Sequence, residues 1–271
     1  MTPIGICADD FGLSRGINAG VIELVAAGRL SAVACMSRAP AWRADAARLA
    51  ALDVDVGLHL SFTEPTAGDW HMGLPTFIGR ALCGLLPQRR LRAEIRAQLD
   101  AFEDAVGRAA DFIDGHQHVH QLPHVRDALM TEVTARYATH RPWLRDTRPP
   151  RARAADAPDA RKQRIIAALG AKGLARLAAI LGLRQNRDLV GVYGFQGDAT
   201  SYRERLGAWL DEAGEATLLM VHPGVGAPAA GDGIASARHW EHEVLGSDAF
   251  ASMLAQRGLT VQRLSRVLAQ A

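Results

Sequence analysis

Four short stretches of the chain carry acidic or imidazole side chains at the end of an apolar run. They are ADDFG at residues 8–12, GLHLSF at 57–62, DGHQHVH at 114–120 and VHPG at 221–224. Carboxylates and imidazoles bind divalent metal ions and transfer protons near neutral pH. A bound divalent ion activates water and polarises a carbonyl oxygen, so these residue types favour hydrolysis over redox chemistry.

Two adjacent carboxylates, Asp9 and Asp10, close the first of these runs. Successive side chains of a strand point to opposite faces, so two neighbours diverge in a regular strand. Where a strand end curls into a loop, however, both can reach one cavity from different sides. The alternative is that one carboxylate caps the following helix and the other is solvated.

The third stretch holds Asp114, His116, His118 and His120 at alternate positions. An extended backbone would place all four side chains on one face. They would then span roughly 20 Å at about 3.3 Å per residue, which is more than one metal site takes from one strand. We expect the first one or two to be ligands and the others to line the cleft.

The other two stretches hold one His each. His59 lies among apolar neighbours, where a core His is the alternative to a ligand. His222 precedes a Pro and a Gly that turn the chain away, and an unperturbed pKa of about 6.5 suits it to acid or base work; the alternative is a His that caps the strand end. The ends of parallel strands meet at one edge of a sheet, so the four stretches are expected to lie close together. This convergence favours a metal site over the separate alternatives for each residue.

Apolar runs that alternate with helical periodicity are typical of βα units around a parallel sheet. Seven or eight such strands predict an α/β barrel, and no linker divides the chain, so we expect one domain over residues 1–271. The predicted strands lie at 4–8, 32–36, 54–60, 111–116, 189–193, 217–222 and 259–264.

Helices and long connections complete the predicted unit. Ser14 is expected to cap the first helix, which ends at Gly28. Long loops are expected at 61–88 and 223–246, and the Arg- and Pro-rich segment 139–160 is expected to be a surface connection, either a lid or a loop. Further helices are predicted at 89–106, 124–137, 159–182, 202–213 and 247–256.

The composition excludes several classes of protein. The chain has 31 Lys and Arg against 29 Asp and Glu, a formal net charge of +2, so nucleic acid is not an expected partner. No secretion leader or membrane-spanning run is present in the sequence, and we expect a cytoplasmic protein. Three Cys without C-x-x-C spacing argue against a Cys-based zinc site, and no G-x-S-x-G motif indicates a Ser nucleophile.

The chain resembles the YdjC-like (ChbG/HpnK-type) carbohydrate deacetylases. The similar pieces, spread from residue 8 to about residue 261, are ADDFGLSRGINAGVIEL, GLHLSF, DGHQHVHQLP, VHPG, HEVLGSDAF and RGLTV. The resemblance implies a TIM-like (β/α) barrel related to polysaccharide deacetylases. It also implies metal-dependent removal of an acetyl group from an N-acetylated sugar, either an oligosaccharide or a glycolipid head group. Relatives further suggest a homodimer.

The resemblance assigns roles to particular residues. It implies that Asp10, His59 and His116 bind one divalent metal ion, with Asp9 as catalytic base and His222 as a nearby acid. One carboxylate with two imidazoles suits zinc, and magnesium, manganese or cobalt would accept the same set with extra waters; we expect magnesium or zinc first.

Further residues are expected around this set. Asp114 is a candidate to orient a ligand, whereas His118 and Arg145 are candidates for the cleft. His120 and His124 are expected to be bystanders at the start of the next helix. Relatives have one more His where this chain has Gln117, which we expect to point away from His116.

Two alternative functions remain open at this stage. A metal-dependent phosphoesterase would also use H-x-H strand ends, but it would need ligands for a second ion and a basic phosphate pocket. A catalytically silent sugar-binding barrel would have no need of a second carboxylate beside the ligand. The sequence does not define which sugar is bound, because residues 61–110 and 139–187 match no subfamily.

Overall fold

A computed structural model describes residues 1–64, 70, 72–151, 159–227 and 231–270. The strands are β1 (Thr2–Phe11), β2 (Ala32–Cys35), β3 (Asp55–Leu60), β4 (Phe112–Gly115), β5 (Trp143–Leu144), β6 (Asp188–Val190), β7 (Thr217–Val221) and β8 (Leu259–Val261). The helices are α1 (Arg15–Ala26), α2 (Trp42–Ala50), α3 (Leu74–Leu82), α4 (Gln88–Val106), α5 (Val125–Arg136), α6 (Ala160–Ala168), α7 (Ala171–Ile180), α8 (Ala199–Glu212), α9 (Ala235–Gly246), α10 (Asp248–Gln256) and α11 (Leu264–Val267).

All eight strands belong to one parallel sheet. Its order is β5-β4-β3-β2-β1-β7-β6, and β8 pairs with the first residues of β1. The two ends of this order approach each other, because Leu144 forms a parallel bridge with Gln185 and the Leu189 amide donates to the Arg148 carbonyl. The sheet therefore curls into a barrel, which confirms the predicted parallel β/α architecture.

The central strands of the barrel are covered on both faces of the sheet. Every residue of β1 from Ile4 to Phe11 is buried, as are all of β2 and β3. Strands covered on both sides read as continuous apolar runs, which explains why sequence patterning located them well. The first helix also begins as predicted, with the Ser14 hydroxyl accepting from the Ile17 amide.

The segment 139–160 is not simply a surface connection, and that expectation was wrong for its described first part. It contains β5, whose Trp143 ring stacks on Phe112 with 4.4 Å between ring centroids, and the fully buried Arg145. A two-residue strand is too short to leave a periodic pattern in the sequence. The question of a lid or loop falls mainly on residues 152–158, which lie outside the described residues.

Two predicted long loops contain helices. Within 61–88 the chain forms α3, and within 223–246 it forms α9. The predicted helix 159–182 is divided into α6 and α7 at Gly170, where a Cβ atom would lie 2.0 Å from the Gln121 carbonyl oxygen. Across the described part of the chain, no helix combines the length and the apolar character that crossing a membrane requires.

Candidate active site

Six of the predicted site residues meet around one cleft at the carboxyl ends of the strands, whereas Asp114 and Arg145 are fully buried and do not line it. Its cavity measures about 500 Å³. Parallel strands place the residues that follow them on the same rim, so segments far apart in sequence converge here. The predicted residues that line the cavity are Asp9, Asp10, His59, His116, His118 and His222.

A backbone kink explains how two adjacent carboxylates both serve this cleft. Asp10 has φ of +68°, and the pairing of β1 with β2 is irregular between Ala8 and Phe11. Asp is one of the few residues that tolerate this left-handed conformation. The kink brings Asp10 to the two imidazoles while Asp9 points to a different partner.

Asp10, His59 and His116 form a compact group of potential ligands. The Asp10 Oδ1 atom lies 3.6 Å from His59 Nε2 and 3.0 Å from His116 Nδ1. One ligand atom from each residue falls within 4.8 Å of the others. Asp10 Oδ2 also accepts from Arg238 of α9 at 2.7 Å. Burial alone would raise the pKa of Asp10, but Arg238 and His116 hold it well below its usual value.

Each imidazole of this group has a second carboxylate at its other ring nitrogen. Asp114 Oδ1 lies 2.6 Å from His59 Nδ1, and Glu64 Oε1 lies 3.0 Å from His116 Nε2. Such partners fix the tautomer and the ring orientation of a metal-binding His. Burial lowers the pKa of His59, yet Asp114 and Asp9 outweigh it and raise that pKa to about 10.

Asp9 lies in a buried ionic cluster that spans the barrel. Its two oxygens accept from Arg145 at 2.7 and 2.6 Å, and the same guanidinium lies 2.5 Å from Asp114 Oδ2. Burial raises the pKa of Asp9, whereas Arg145 and His59 lower it below its usual value. Asp9 is therefore held as a carboxylate, 4.0 Å from His59 Nε2.

The same cluster includes a second group of acidic and thiol side chains whose atoms lie close together. Cys7, Asp9 and Asp114 could by distance alone hold a metal ion. The Arg145 guanidinium already lies among them, with its Nη2 atom 3.1 Å from Cys7 Sγ. The guanidinium cation thus already occupies this position. Among the described residues, the other such group is Asp10, His59 and His116.

The His-rich stretch does not continue as a strand, so the expected alternation on one face does not occur. β4 ends at Gly115, and a tight 3-10 turn covers His116–Gln121, with φ of +53° at Gln117 and +61° at His118. Gln117 consequently faces the cleft as well, where it accepts from the Thr63 hydroxyl. His120 is not a bystander, because it is fully buried with Nε2 3.0 Å from the Arg145 carbonyl.

His222 follows β7 and faces the cleft with a partner from α9. Its backbone amide donates to Glu241 Oε2 at 2.5 Å, and Tyr193 donates its hydroxyl to Oε1 of the same carboxylate. Burial lowers the pKa of His222 to about 4, so its ring is neutral near pH 7, contrary to the expectation from an unperturbed His. Burial raises the pKa of Glu241 to about 7.

Three functional candidates were missed at the sequence level. Glu64 directly follows GLHLSFT at the end of β3, and that position is the only local signal for it. Arg238 and Glu241 lie three residues apart and hence on one face of α9. That spacing was hidden because residues 223–246 were assigned to a loop.

Comparison with known protein families and curated proteins gives a consistent result. The model of the family described as YdjC-like protein matches residues 3–256. The chain is 35% identical over 124 residues to the chitooligosaccharide deacetylase of Enterobacter sp. (strain 638), covering 43% of this chain and 49% of that protein. It is 32% identical over 155 residues to the carbohydrate deacetylase of Geobacillus stearothermophilus, covering 53% and 60% respectively. The aligned part thus spans about half the length of these relatives.

Solved structures share the fold at low sequence identity. A candidate cellobiose-phosphate cleavage protein from Enterococcus faecalis V583 superimposes with a TM-score of 0.67 and 16% identity, over 98% of this chain and 99% of that one. The Xyl-CE4 domain of a multidomain xylanase from the hindgut metagenome of Trinervitermes trinervoides gives 0.51 and 11%, over 99% and 90%. These likenesses concern the barrel alone.

Proposed function

Since this chain belongs to the YdjC-like protein family, we propose that it is a metal-dependent hydrolase that removes the acetyl group from an N-acetylated sugar. The observation that carries the proposal is the convergence of Asp10, His59 and His116 beside a separate carboxylate, Asp9. Two curated relatives named as deacetylases of carbohydrates support the substrate class.

The residues present fit a divalent metal ion. Ligand atoms about 2.1 Å from a common metal ion lie about 3.0–3.4 Å apart in octahedral or tetrahedral geometry, and the two distances from Asp10 Oδ1 are 3.0 and 3.6 Å. One carboxylate and two imidazoles leave positions open, as catalytic sites require. When bound, a divalent ion would lower the pKa of a water molecule and place positive charge beside the developing oxyanion. Magnesium and zinc are the first candidates, then manganese and cobalt.

The chain's own residues would perform the proton transfers. Asp9, held ionised by Arg145, would accept a proton as water attacks the carbonyl carbon of the acetamido group. The C–N bond then breaks, and the amine leaves with a proton. His222 is neutral before the reaction, so it would first have to receive the proton that Asp9 took from the water and then pass it to the leaving nitrogen. Acetate and the free amino sugar are the products.

The cavity wall bears on which acetylated sugar is bound. Beside the polar group it is lined by aliphatic and aromatic side chains, among them Leu13, Leu74, Ile166, Leu169 and Phe195. A free oligosaccharide offers many hydroxyl groups that such a wall cannot pair. We therefore favour the head group of a glycolipid over a free oligosaccharide within the proposed class.

The substitution Asp9→Asn tests the assignment of the base. We expect turnover to fall by about 10²–10⁴-fold, because the proton acceptor is lost. Metal content should stay near normal, since Asp10, His59 and His116 are untouched. His59→Ala and His116→Ala should instead lose metal in elemental analysis. Near wild-type turnover of Asp9→Asn on the true substrate would refute the role.

A substrate panel separates the proposal from its alternatives. Acetate release from N-acetylated sugars and glycolipids should be measured with added zinc, magnesium, manganese or cobalt. Release of phosphate from phosphate esters, without release of acetate, would identify a phosphoesterase. Sugar binding without turnover under every metal would identify a silent barrel.

A further inference from the structure

One wall of the cleft is built by α6, and the outer side of α6 and of its neighbour α7 is basic and aliphatic. The cavity is lined by Lys162 and Ile166 of α6 and by Leu169 directly after it, and α7 packs against α6. Side chains of these two helices that point away from the protein are exposed. We call the following five residues the basic surface: Arg161, Ile165, Lys172, Arg176 and Ile180.

The charge of this region differs sharply from that of the whole chain. Residues 160–187 contain no Asp or Glu, whereas the chain as a whole has 29 of them against 31 Lys and Arg. A segment of net positive charge in a nearly balanced protein thus contains both α6 and α7. The basic residues of this segment are Arg161, Lys162, Arg164, Lys172, Arg176, Arg184 and Arg187.

Large aliphatic side chains are exposed on the same region and on α3, which also lines the cavity. Ile165 is 54% exposed and Ile180 is 67% exposed. On α3 the residues Leu74, Ile78 and Leu82 follow one another at intervals of four, so the apolar face that lines the cavity continues outward to Leu82, which is 55% exposed. Of the five large apolar residues exposed in the described part of the chain, all but Met1 lie on or next to these helices.

We propose that the basic surface, together with Leu82 at the end of α3 and Leu85 just after it, docks the side of the protein next to the cleft onto an anionic lipid surface. Clustered Lys and Arg are attracted to the negative potential of such a surface, and aliphatic side chains beside them enter its interfacial layer. This inference concerns where the protein binds and does not depend on the proposed deacetylase activity.

Charge and side-chain type favour lipid over two other partners. A second copy paired through a two-fold axis would bring like charges together, which costs free energy. Single-stranded nucleic acid is usually bound by stacking on aromatic rings. The large apolar side chains exposed here, Leu82, Leu85, Ile165 and Ile180, are aliphatic.

Co-sedimentation of the full chain with lipid vesicles tests the docking surface. We expect binding to vesicles that contain phosphatidylglycerol, weak binding to vesicles of phosphatidylcholine alone, and loss of binding as salt is raised. The double variant Lys172→Gln/Arg176→Gln should bind on the order of thirtyfold more weakly, because each basic residue near the surface contributes about fivefold. Ile165→Ser/Ile180→Ser should weaken binding by a salt-independent amount.

A matched control removes two basic charges elsewhere. Arg43 and Arg48 are exposed on α2, outside the cleft walls, and Arg43→Gln/Arg48→Gln should bind like wild type. Equal binding by all three variants, or no binding to anionic vesicles, would overturn the proposal. So would a dimer in sedimentation analysis that Ile165→Ser/Ile180→Ser disrupts, or preferential binding of a single-stranded oligonucleotide. Acetate release from a free N-acetylated sugar, measured in parallel, reports on the proposed function separately.

Discussion

Both imidazoles that face Asp10 are held by a carboxylate at the other ring nitrogen. His59 presents Nε2 to Asp10 and Nδ1 to Asp114, whereas His116 presents Nδ1 to Asp10 and Nε2 to Glu64. The two rings therefore turn opposite ring nitrogens towards Asp10. Asp114 is fully buried, but Glu64 is partly exposed, so the support of His116 is the more adaptable of the two.

Removal of the Glu64 carboxylate tests this arrangement at the level of one residue. We expect Glu64→Ala to weaken the affinity for zinc or magnesium by about 10–100-fold, because the His116 ring loses the partner that fixes its tautomer. Titration calorimetry of the metal-free protein measures that affinity, and Glu64→Gln should show a smaller loss.

Thr63 supplies the control for Glu64. Its hydroxyl donates to Gln117, whereas His116 is paired with Glu64, so Thr63→Val should leave metal affinity unchanged. Unaltered affinity in Glu64→Ala, or an equal loss in both variants, would show that the Glu64 carboxylate does not support the ligand.

At the scale of elements, α9 ties together the ends of two strands. Glu241 accepts from the Tyr193 hydroxyl, which follows β6, and from the His222 amide, which follows β7. Arg238, one helical turn earlier, reaches Asp10 at the end of β1 and Asp232 in the preceding loop. One helix face therefore sets the relative positions of three strand ends around the cleft.

The buried Glu241 should leave a signature in the pH dependence of stability. Burial raises its pKa from 4.5 to about 7, so between these values the folded protein keeps a proton that the unfolded chain has lost. The free energy of unfolding should then fall as pH rises through this window, by about 3 kcal/mol from this residue. Glu241→Gln should remove that fall, as measured by urea denaturation at pH 4.5 to 8.

Glu243 provides a matched comparison on the same helix. It is exposed, and Glu243→Gln should keep the pH profile of wild type. A profile of Glu241→Gln that parallels wild type over the whole window would contradict the assignment of the slope to this carboxyl group.

Across the whole molecule, Arg145 connects strands on different sides of the barrel. It directly follows β5 and its two partners come from β1 and β4, and all three side chains are buried. A buried cation between two carboxylates is costly to disturb, since loss of one member leaves charges without a partner in a medium of low polarity. The cluster is thus part of the barrel interior as well as of the cleft floor.

Loss of the Arg145 charge should destabilise the fold. We expect Arg145→Met to lower the free energy of unfolding by about 3–5 kcal/mol, because Asp9 and Asp114 would stay buried side by side. Arg266→Met is the control, since its pair with Asp53 is exposed and should contribute about 0–1 kcal/mol. Denaturant unfolding of both variants at pH 7 gives the comparison, and equal losses would rule out a special role for the buried cluster.

The sequence by itself determined the parallel barrel, the cap at Ser14 and the strand ends at which the chemistry would lie. Buried strands and helix caps leave local patterns, and parallel topology places all strand ends on one rim. The sequence pattern could not locate β5, because a strand of two residues shows no periodicity. It could not locate α9 either, because the Gly- and Pro-rich residues before this helix indicated a loop. The family resemblance supplied the roles of Asp9, Asp10, His59, His116 and His222, and those roles await the experiments above.

Only the tertiary structure decided which side chains meet. The partnership of Glu64 with His116 joins residues 52 positions apart, and that of Arg145 with Asp9 joins residues 136 apart. The left-handed turns at Asp10, Gln117 and His118 replaced a strand-like alternation that the spacing had suggested. Contacts of this kind depend on how the barrel closes, and closure is a property of the packed chain that no local stretch of sequence encodes.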